Sequence, residues 1–585
     1  MQAREGRMMK RSKCCRQDGP APCFNRFLFL ATLLTCIFFY AEAGEHRYWV
    51  FFQDRGERKT IEQTRQYAHD LGISDRALWR RSRVLTANAL LDEHDVPVSE
   101  KYLRRIKATG IHVKAVSRWF NAASVEGRTE QLALLHELPF VRRLQLVATF
   151  RKQKPALDPA RGMLSLRKGE DKEGPEYGSS FTQLNNIGVV DLHKRGINGN
   201  GVIIGMIDDG FNEHRVHPAL RNIKVLAEYD FVQRDNNTMR APGEYPGQGN
   251  HGAGTLAVIG GYDQGKLIGA AYGASFLLAK TEVDSVEIRV EEDLYVEGLE
   301  WLERNGADII SSSLGYIDWY TYDDLNGKTA VTTRAASILA RKGVLLVTAM
   351  GNEGTYRDPR ARITGTLIAP ADADSIVSVG ATFSDGELAS FSSTGPTSDG
   401  RIKPEVVAQG VSVFTMYGEL GYGFSNGTSF ATPLVAGVAA LVLSVHPHLT
   451  PMEVRQRLLS TARPLEMTVP NNFIGWGMVD AVRAVGFVAP LPERFVLYDS
   501  YPNPFNGSTT ISFGAPESKS VDLSIYDLLG RRVRILFNGE ARVGENRFVW
   551  HDARDDRGGR VASGIYLVRL SVQGSVLTKK LVHIK

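Results

Sequence analysis

The run Leu434-Val435-Ala436-Gly437-Val438-Ala439-Ala440-Leu441-Val442-Leu443 constrains the fold of this chain more than any other stretch. It carries no charge and is apolar nearly all round, so as a helix it is stable only with protein on every side. A layer beneath it and neighbours beside it are therefore required, and a chain of 585 residues has the length to supply them. The preceding stretch, Asn426-Gly427-Thr428-Ser429-Phe430-Ala431-Thr432-Pro433, is small and polar and sets Ser429 at the mouth of that helix. Free backbone N–H groups there point outward and favour negative charge, which suits a nucleophile whose reaction builds an oxyanion beside it. A plain N-cap formed by Thr428 or Ser429 suits the same residues, and this stretch alone leaves both readings open.

What surrounds the helix is legible in the region 178–490. Short strands that are apolar throughout (Val202 to Ile207, Phe276 to Ala279, Ile309 to Ser311, Val344 to Val347) are spaced by helical segments. That alternation predicts an α/β domain with a parallel sheet covered by helices on both faces. In such sheets the reactive groups collect at the carboxyl ends of the strands. Asp208 follows the first of these strands and is itself followed by Asp209-Gly210. His251 precedes Gly252 at the end of a loop rich in Gly, Pro and Asn, and Asn352 follows the strand ending at Val347. Serine is a weak nucleophile until a base takes its proton, and histidine titrates in the right range to do so. A buried carboxylate fixes the imidazole, and an amide can donate to the oxyanion. The chain order Asp, His, Ser is one of the known orders of that triad. Asp209 reads as a hydrogen-bonding turn residue, and His214, His217, His446 and His448 as structural or surface groups.

The flanks differ in texture. Residues 1–43 combine basic residues, an apolar run from Phe27 to Tyr40 and the ending Ala41-Glu42-Ala43, the pattern of a signal peptide cleaved after Ala43, with a signal anchor as the alternative. All cysteines (Cys14, Cys15, Cys23, Cys36) fall inside that segment, which excludes cysteine catalysis, thiolate metal sites and disulfides from the rest. Residues 44–154 read as a small α+β unit with strands at Tyr48 to Phe52, Val113 to Val125 and Val141 to Val147. Its helices are read at Ser74 to Arg83, Ser99 to Thr109 and Thr129 to Leu138. Residues 155–177 have no apolar period and read as a linker open to proteolysis. Residues 491–585 hold short period-two strands with Gly/Asp turns, the pattern of a small β-sandwich. Residues 1–154 hold 28 Lys+Arg against 16 Asp+Glu, so the net charge of +5 is carried by the part expected to be removed and argues for no nucleic-acid partner.

The central region resembles a subtilisin-like serine peptidase. The likeness rests on Ile207-Asp208-Asp209-Gly210, Asn250-His251-Gly252, Ser312-Ser313-Leu314-Gly315, Ala349-Met350-Gly351-Asn352-Glu353 and Gly427-Thr428-Ser429-Phe430-Ala431-Thr432-Pro433. The resemblance implies a secreted serine endopeptidase acting on proteins and peptides through an acyl-enzyme. It makes Asp208, His251 and Ser429 the catalytic triad and completes the oxyanion hole with Asn352. It also gives Ser313, Leu314 and Gly315 to an edge segment pairing with extended substrate, with Gly351 and Glu353 also binding substrate and Glu353 near the base of the pocket. Two positions depart from the pattern: Asp209 stands where Ser or Thr is commoner, and Ala253-Gly254-Thr255-Leu256-Ala257 replaces the usual sequence after the histidine. No cofactor is required by such chemistry. Calcium is common in the family, but no carboxylate cluster has ligand spacing to which it can be assigned.

The 44–154 unit resembles a ferredoxin-like propeptide, an intramolecular inhibitor that makes the protein a zymogen; a retained accessory domain is the alternative. The C-terminal module resembles a type IX secretion sorting domain. Its signature is Tyr501-Pro502-Asn503-Pro504-Phe505-Asn506, with Ile525-Tyr526-Asp527-Leu528-Leu529-Gly530-Arg531 and Lys579-Lys580-Leu581-Val582. It implies secretion machinery as a partner and a location outside the cell or on its outer surface.

Overall fold

The computed structural model describes residues 45–56, 68, 70–147, 176–283, 290–317, 319–354, 364–418, 420–486, 494–500 and 503–584. The expected signal peptide and nearly all of the expected linker lie outside the described residues, as do Tyr501 and Pro502.

The N-terminal unit runs β1 (Glu45–Phe52), α1 (Asp75–Arg81), α2 (Glu100–Lys107), β2 (His112–Ser117), β3 (Ala122–Arg128), α3 (Thr129–Leu135) and β4 (Val141–Val147). Its sheet has the order β2-β3-β1-β4 and is antiparallel at every pair. Without α1 this is the β-α-β-β-α-β order of a ferredoxin-like unit; α1 is an addition in the first crossover. The alternating stretch Val113 to Val125 is a hairpin rather than one strand. Asn121 turns the chain at φ +47°, while Trp119 in the turn is itself buried and prolongs the apolar pattern.

The central unit continues with α4 (Phe181–Asn185), α5 (Val189–His193), β5 (Ile203–Asp208), β6 (Lys224–Asp230), α6 (Asn250–Gly260), β7 (Tyr262–Asp263), β8 (Leu267–Ile268) and β9 (Ser275–Lys280). Then come α7 (Val290–Arg304), β10 (Ile309–Ser312), α8 (Val331–Arg341), β11 (Leu345–Ala349), β12 (Val377–Thr382), β13 (Val406–Gln409), β14 (Val413–Tyr417) and β15 (Gly421–Ser425). It closes with α9 (Thr428–Val445), α10 (Pro451–Thr461) and α11 (Ala481–Val485). The main sheet is seven-stranded, in the order β13-β12-β11-β10-β5-β9-β6, and parallel throughout.

Each strand serves both faces, as the unbroken apolar runs require. Leu345 and Val347 pack with Leu434, Val438 and Leu441 of α9 on one side. Val344 and Leu346 pack with Leu299 and Leu302 of α7 and Leu339 of α8 on the other. Helix α9 lies across β10, β11, β12 and β13 and against α6. It is long and apolar enough to cross a membrane, yet 89% of that window is buried in the protein, which makes it a core helix. The chain fills the sheet outward from β5, first toward β9 and β6, then toward β10 and beyond. Connections therefore diverge at the carboxyl ends of β5 and β10, which opens a crevice there. Asp208 is the last residue of β5 and Ser312 the last of β10.

The N-terminal unit sits on the α7/α8 side, where Ala115 and Trp119 join the cluster of Leu299 and Leu302. Glu300 of α7 accepts from the Ser117 hydroxyl at 2.5 Å and from the Arg118 and Trp119 N–H groups at 3.0 and 3.2 Å. Burial pushes its carboxyl up to about 7 despite these donors, and burial likewise raises Asp293, beside Ser124, to about 8. Helix α1 reaches the far end of α7. Arg80 and Arg81 are fully buried and both engage Glu303, while Lys342 bonds Asp95 at 3.0 Å. Burial would raise Glu303, but the charges of Arg81 and Arg80 outweigh it and hold the carboxyl at about 2.

The C-terminal strands are β16 (Val496–Leu497), β17 (Thr509–Ala515), β18 (Ser520–Asp527), β19 (Arg532–Glu540), β20 (Gly544–Trp550), β21 (Gly564–Val572) and β22 (Ser575–His583). They form sheets β16-β17-β20 and β19-β18-β21-β22, closed over Phe505, Phe513, Leu523, Leu570 and Trp550.

Candidate active site

Asp208 is fully buried, and its Oδ1 meets His251 Nδ1 at 2.6 Å. The same carboxylate also accepts from the Asp209 N–H at 2.9 Å and the Thr255 hydroxyl at 3.1 Å. Thr255 was not singled out in the sequence. The available signal was its spacing, one helical turn beyond His251 on the same face of α6. Of the two departures noted above, this one therefore adds a donor at the site.

Asp209 does another job. Its oxygens accept from the N–H groups of Gly249 at 3.0 Å and Gly252 at 2.8 Å, satisfying the N-terminus of α6 from the strand opposite. Asp209 is thus a hydrogen-bonding residue, as expected, but these partners lie at the head of α6 and not in its own turn. Gly252 is needed where β5 and α6 meet, because a Cβ there would stand 2.1 Å from the Gly210 carbonyl oxygen and 2.7 Å from Asp208 Cβ. Asp208, Asp209 and His251 have the mutual spacing of a metal site. Their acceptor atoms already serve His251, Thr255 and backbone N–H groups, so the cluster reads as a hydrogen-bonded dyad and its support, not a cation cage.

Ser429 is half-buried in the first turn of α9, and Phe430 beside it makes a T-shaped contact with the His251 ring, centroids 5.7 Å apart. The Ser429 hydroxyl donates to the Ser313 carbonyl at 3.2 Å. In return the Ser313 hydroxyl donates to the Ser429 carbonyl at 2.7 Å. Pro433 explains this exchange. Four residues beyond Ser429 in the helix, it has no N–H to give to the Ser429 carbonyl, so that acceptor is open to Ser313. The missing helix bond thus ties the segment after β10 to the head of α9.

Asn352 is oriented by two donors. Its Oδ1 accepts the Thr428 N–H at 3.0 Å and the Thr428 hydroxyl at 3.1 Å. A backbone N–H can only donate, so the amide oxygen faces Thr428 and the NH2 group is left for the space beside Ser429. Among the described residues the Ser429 N–H has no backbone acceptor. A Cβ on Gly427 would lie 3.6 Å from Ser429 N and 3.7 Å from Asn352 Nδ2, so Gly427 leaves open the space where these two donors converge.

Of the expected substrate-binding residues, Ser313 and Gly351 are buried and Leu314 and Gly315 half-buried along the crevice edge. Glu353 is exposed, which puts its carboxylate at a solvent-facing edge of the site rather than at the base of a closed pocket. Its N–H donates to Ser393 Oγ at 2.9 Å.

Residues 199–477 match the subtilase family. Over 317 residues the sequence is 34% identical to subtilisin E of Bacillus subtilis (strain 168), spanning 54% of this chain and 74% of that protein. The chain belongs to the subtilase family. The likeness to subtilisin DY of Bacillus licheniformis is 35% over 294 residues, half of this chain and 94% of that protein. Among solved structures, the prenylagaramide maturation protease PagA aligns with 51% of this subtilase and 97% of its own chain, at 23% identity and TM-score 0.41. Residues 47–159 match the peptidase S8 propeptide domain of Bacteroidota, and residues 499–585 a secretion system C-terminal sorting domain. This subtilase is thus a serine-type endopeptidase that carries its propeptide domain, and its sorting domain marks it for the cell surface or the exterior.

Proposed function

We propose that the protein hydrolyses peptide bonds of proteins with Asp208, His251 and Ser429 as catalytic triad. The convergence of Asn352 Nδ2 and the Ser429 N–H on one open space beside the Ser429 hydroxyl carries this reading. Ser429 turns about χ1 from the Ser313 carbonyl toward His251 Nε2, gives up its proton and attacks the peptide carbonyl. The tetrahedral oxyanion is held by Asn352 and the Ser429 N–H. Asp208 stabilises the imidazolium, which then protonates the leaving amine. Water, activated by the same imidazole, attacks the acyl-enzyme and releases the acid. Side chains and backbone supply every step, and no cofactor is called for.

In the same reading residues 1–43 are a signal peptide and 44–154 a propeptide that inhibits its own enzyme until the linker at 155–177 is cut. Residues 178–490 are the peptidase, and 491–585 engage the secretion machinery. Ser429→Ala is expected to lower casein hydrolysis by roughly a million-fold while the protein remains folded. Casein cleavage at the parent rate by that variant would end the proposal.

A further inference from the structure

Three backbone segments run side by side next to Ser429. The Ile368 N–H donates to the Met350 carbonyl at 3.3 Å, and Tyr316 and Ala369 exchange backbone hydrogen bonds at 2.8 and 3.0 Å. Along the third segment Leu367 and Ala369 are buried in one cluster with Met350. Alternation then turns Ile368, which is half-buried, to the opposite side. Two glycines make room for it there. A Cβ on Gly315 would stand 2.3 Å from Ile368 Cδ1, and one on Gly351 would stand 3.1 Å from Ile368 Cγ1 and Cγ2.

Those glycines belong to the two segments that flank the reacting carbonyl. The Ser313 carbonyl borders the Ser429 hydroxyl on one side, and Asn352 directly follows Gly351 on the other. A peptide whose carbonyl oxygen faces Asn352 and the Ser429 N–H sends the side chain of its acyl-side residue between them, onto Ile368. We propose that Ile368 is the specificity-determining residue of this slot: it admits glycine, alanine and serine before the cleaved bond and turns away aromatic and long side chains. The inference rests on Ser429 being the nucleophile. A large side chain meeting a branched aliphatic floor lifts the carbonyl away from its donors, so the loss falls on turnover as well as on binding.

The secreted protein is assayed on peptide anilides that differ only in the residue before the anilide, Ala against Phe, with active sites counted by a fluorophosphonate probe. The parent is expected to prefer Ala by at least about tenfold in kcat/KM. Ile368→Gly is expected to reverse that ranking by raising the Phe substrate, and the milder Ile368→Ala to shift it the same way. Labelled parent enzyme that prefers Phe, or labelled variants that keep the parent's ranking, overturns the inference and leaves the nucleophile reading standing. Absence of labelling at Ser429 overturns the nucleophile reading and this inference with it.

Discussion

Gly427 sits at φ +141°, and the space its missing side chain leaves is where two N–H donors converge. Gly427→Ala brings two penalties, a strained backbone and a methyl group in that space. It is expected to depress kcat far more than KM, because the space fills only when the carbonyl becomes tetrahedral. Asn352→Ala removes one donor and leaves the space open; a loss of about 100- to 1,000-fold in kcat with little change in KM is expected from steady-state kinetics. If the two variants show equal small losses, the oxyanion is held elsewhere. Thr255 acts at one remove. Among the described residues its hydroxyl bonds Asp208 and the Gly252 carbonyl, so it serves to position the Asp208–His251 pair.

At the level of elements, α9 is both the core helix and the carrier of Ser429, the nucleophile proposed above. Its apolar body fixes where its first turn stands, and Pro433 fixes what that turn binds. Ser313→Ala leaves the Ser429 carbonyl without its donor while Pro433 still cannot replace it. A stability loss of about 1–3 kcal/mol is expected in urea unfolding monitored by tryptophan fluorescence. Restoring an N–H with Pro433→Ala in the Ser313→Ala background is expected to recover part of it. Helix α1 makes the complementary case. Arg81→Met would strand Glu303, fully buried, with a weakened counter-charge, and about 3–5 kcal/mol of docking free energy is at stake.

At the scale of the whole molecule, the propeptide domain covers carboxylates of α7 whose titration links docking to pH. Glu300 and Asp293 are raised by burial to about 7 and about 8 in the docked state, above the ordinary range near ~4 that α7 regains once it faces water. Groups raised on docking favour it most below their free values, and that contribution is lost as pH climbs through 7 and 8. Glu303 has the opposite sign. Held at about 2, it supports docking above its free value and is lost only as pH falls toward 2. Docking should therefore be firm in mild acid and loosen toward alkaline pH. Affinity of cleaved propeptide for the mature enzyme, followed by size-exclusion chromatography, is expected to fall at least about tenfold between pH 6 and 9. Glu300→Gln should flatten that fall; an unchanged slope would assign the linkage to other groups.

The buried helix, the parallel sheet, the order of Asp208, His251 and Ser429 and the β-rich C-terminal module were readable from the chain alone. Each is written locally, as a periodicity or as a residue next to the end of an apolar run. The exchange between Ser313 and Ser429, the two roles of Asp208 and Asp209, the floor at Ile368 and the burial of Arg80 and Arg81 were not. The basic stretch around α1 looks like a solvated helix face until Glu303, 222 residues away from Arg81, is brought against it. Such partners are chosen by strand register and by which helix packs on which face, and no spacing along the sequence carries that information. The sequence determined which groups are candidates for the chemistry, because each stands next to the end of an apolar run; only the tertiary structure decided how they are held and what can reach them, because that depends on partners far apart in the chain.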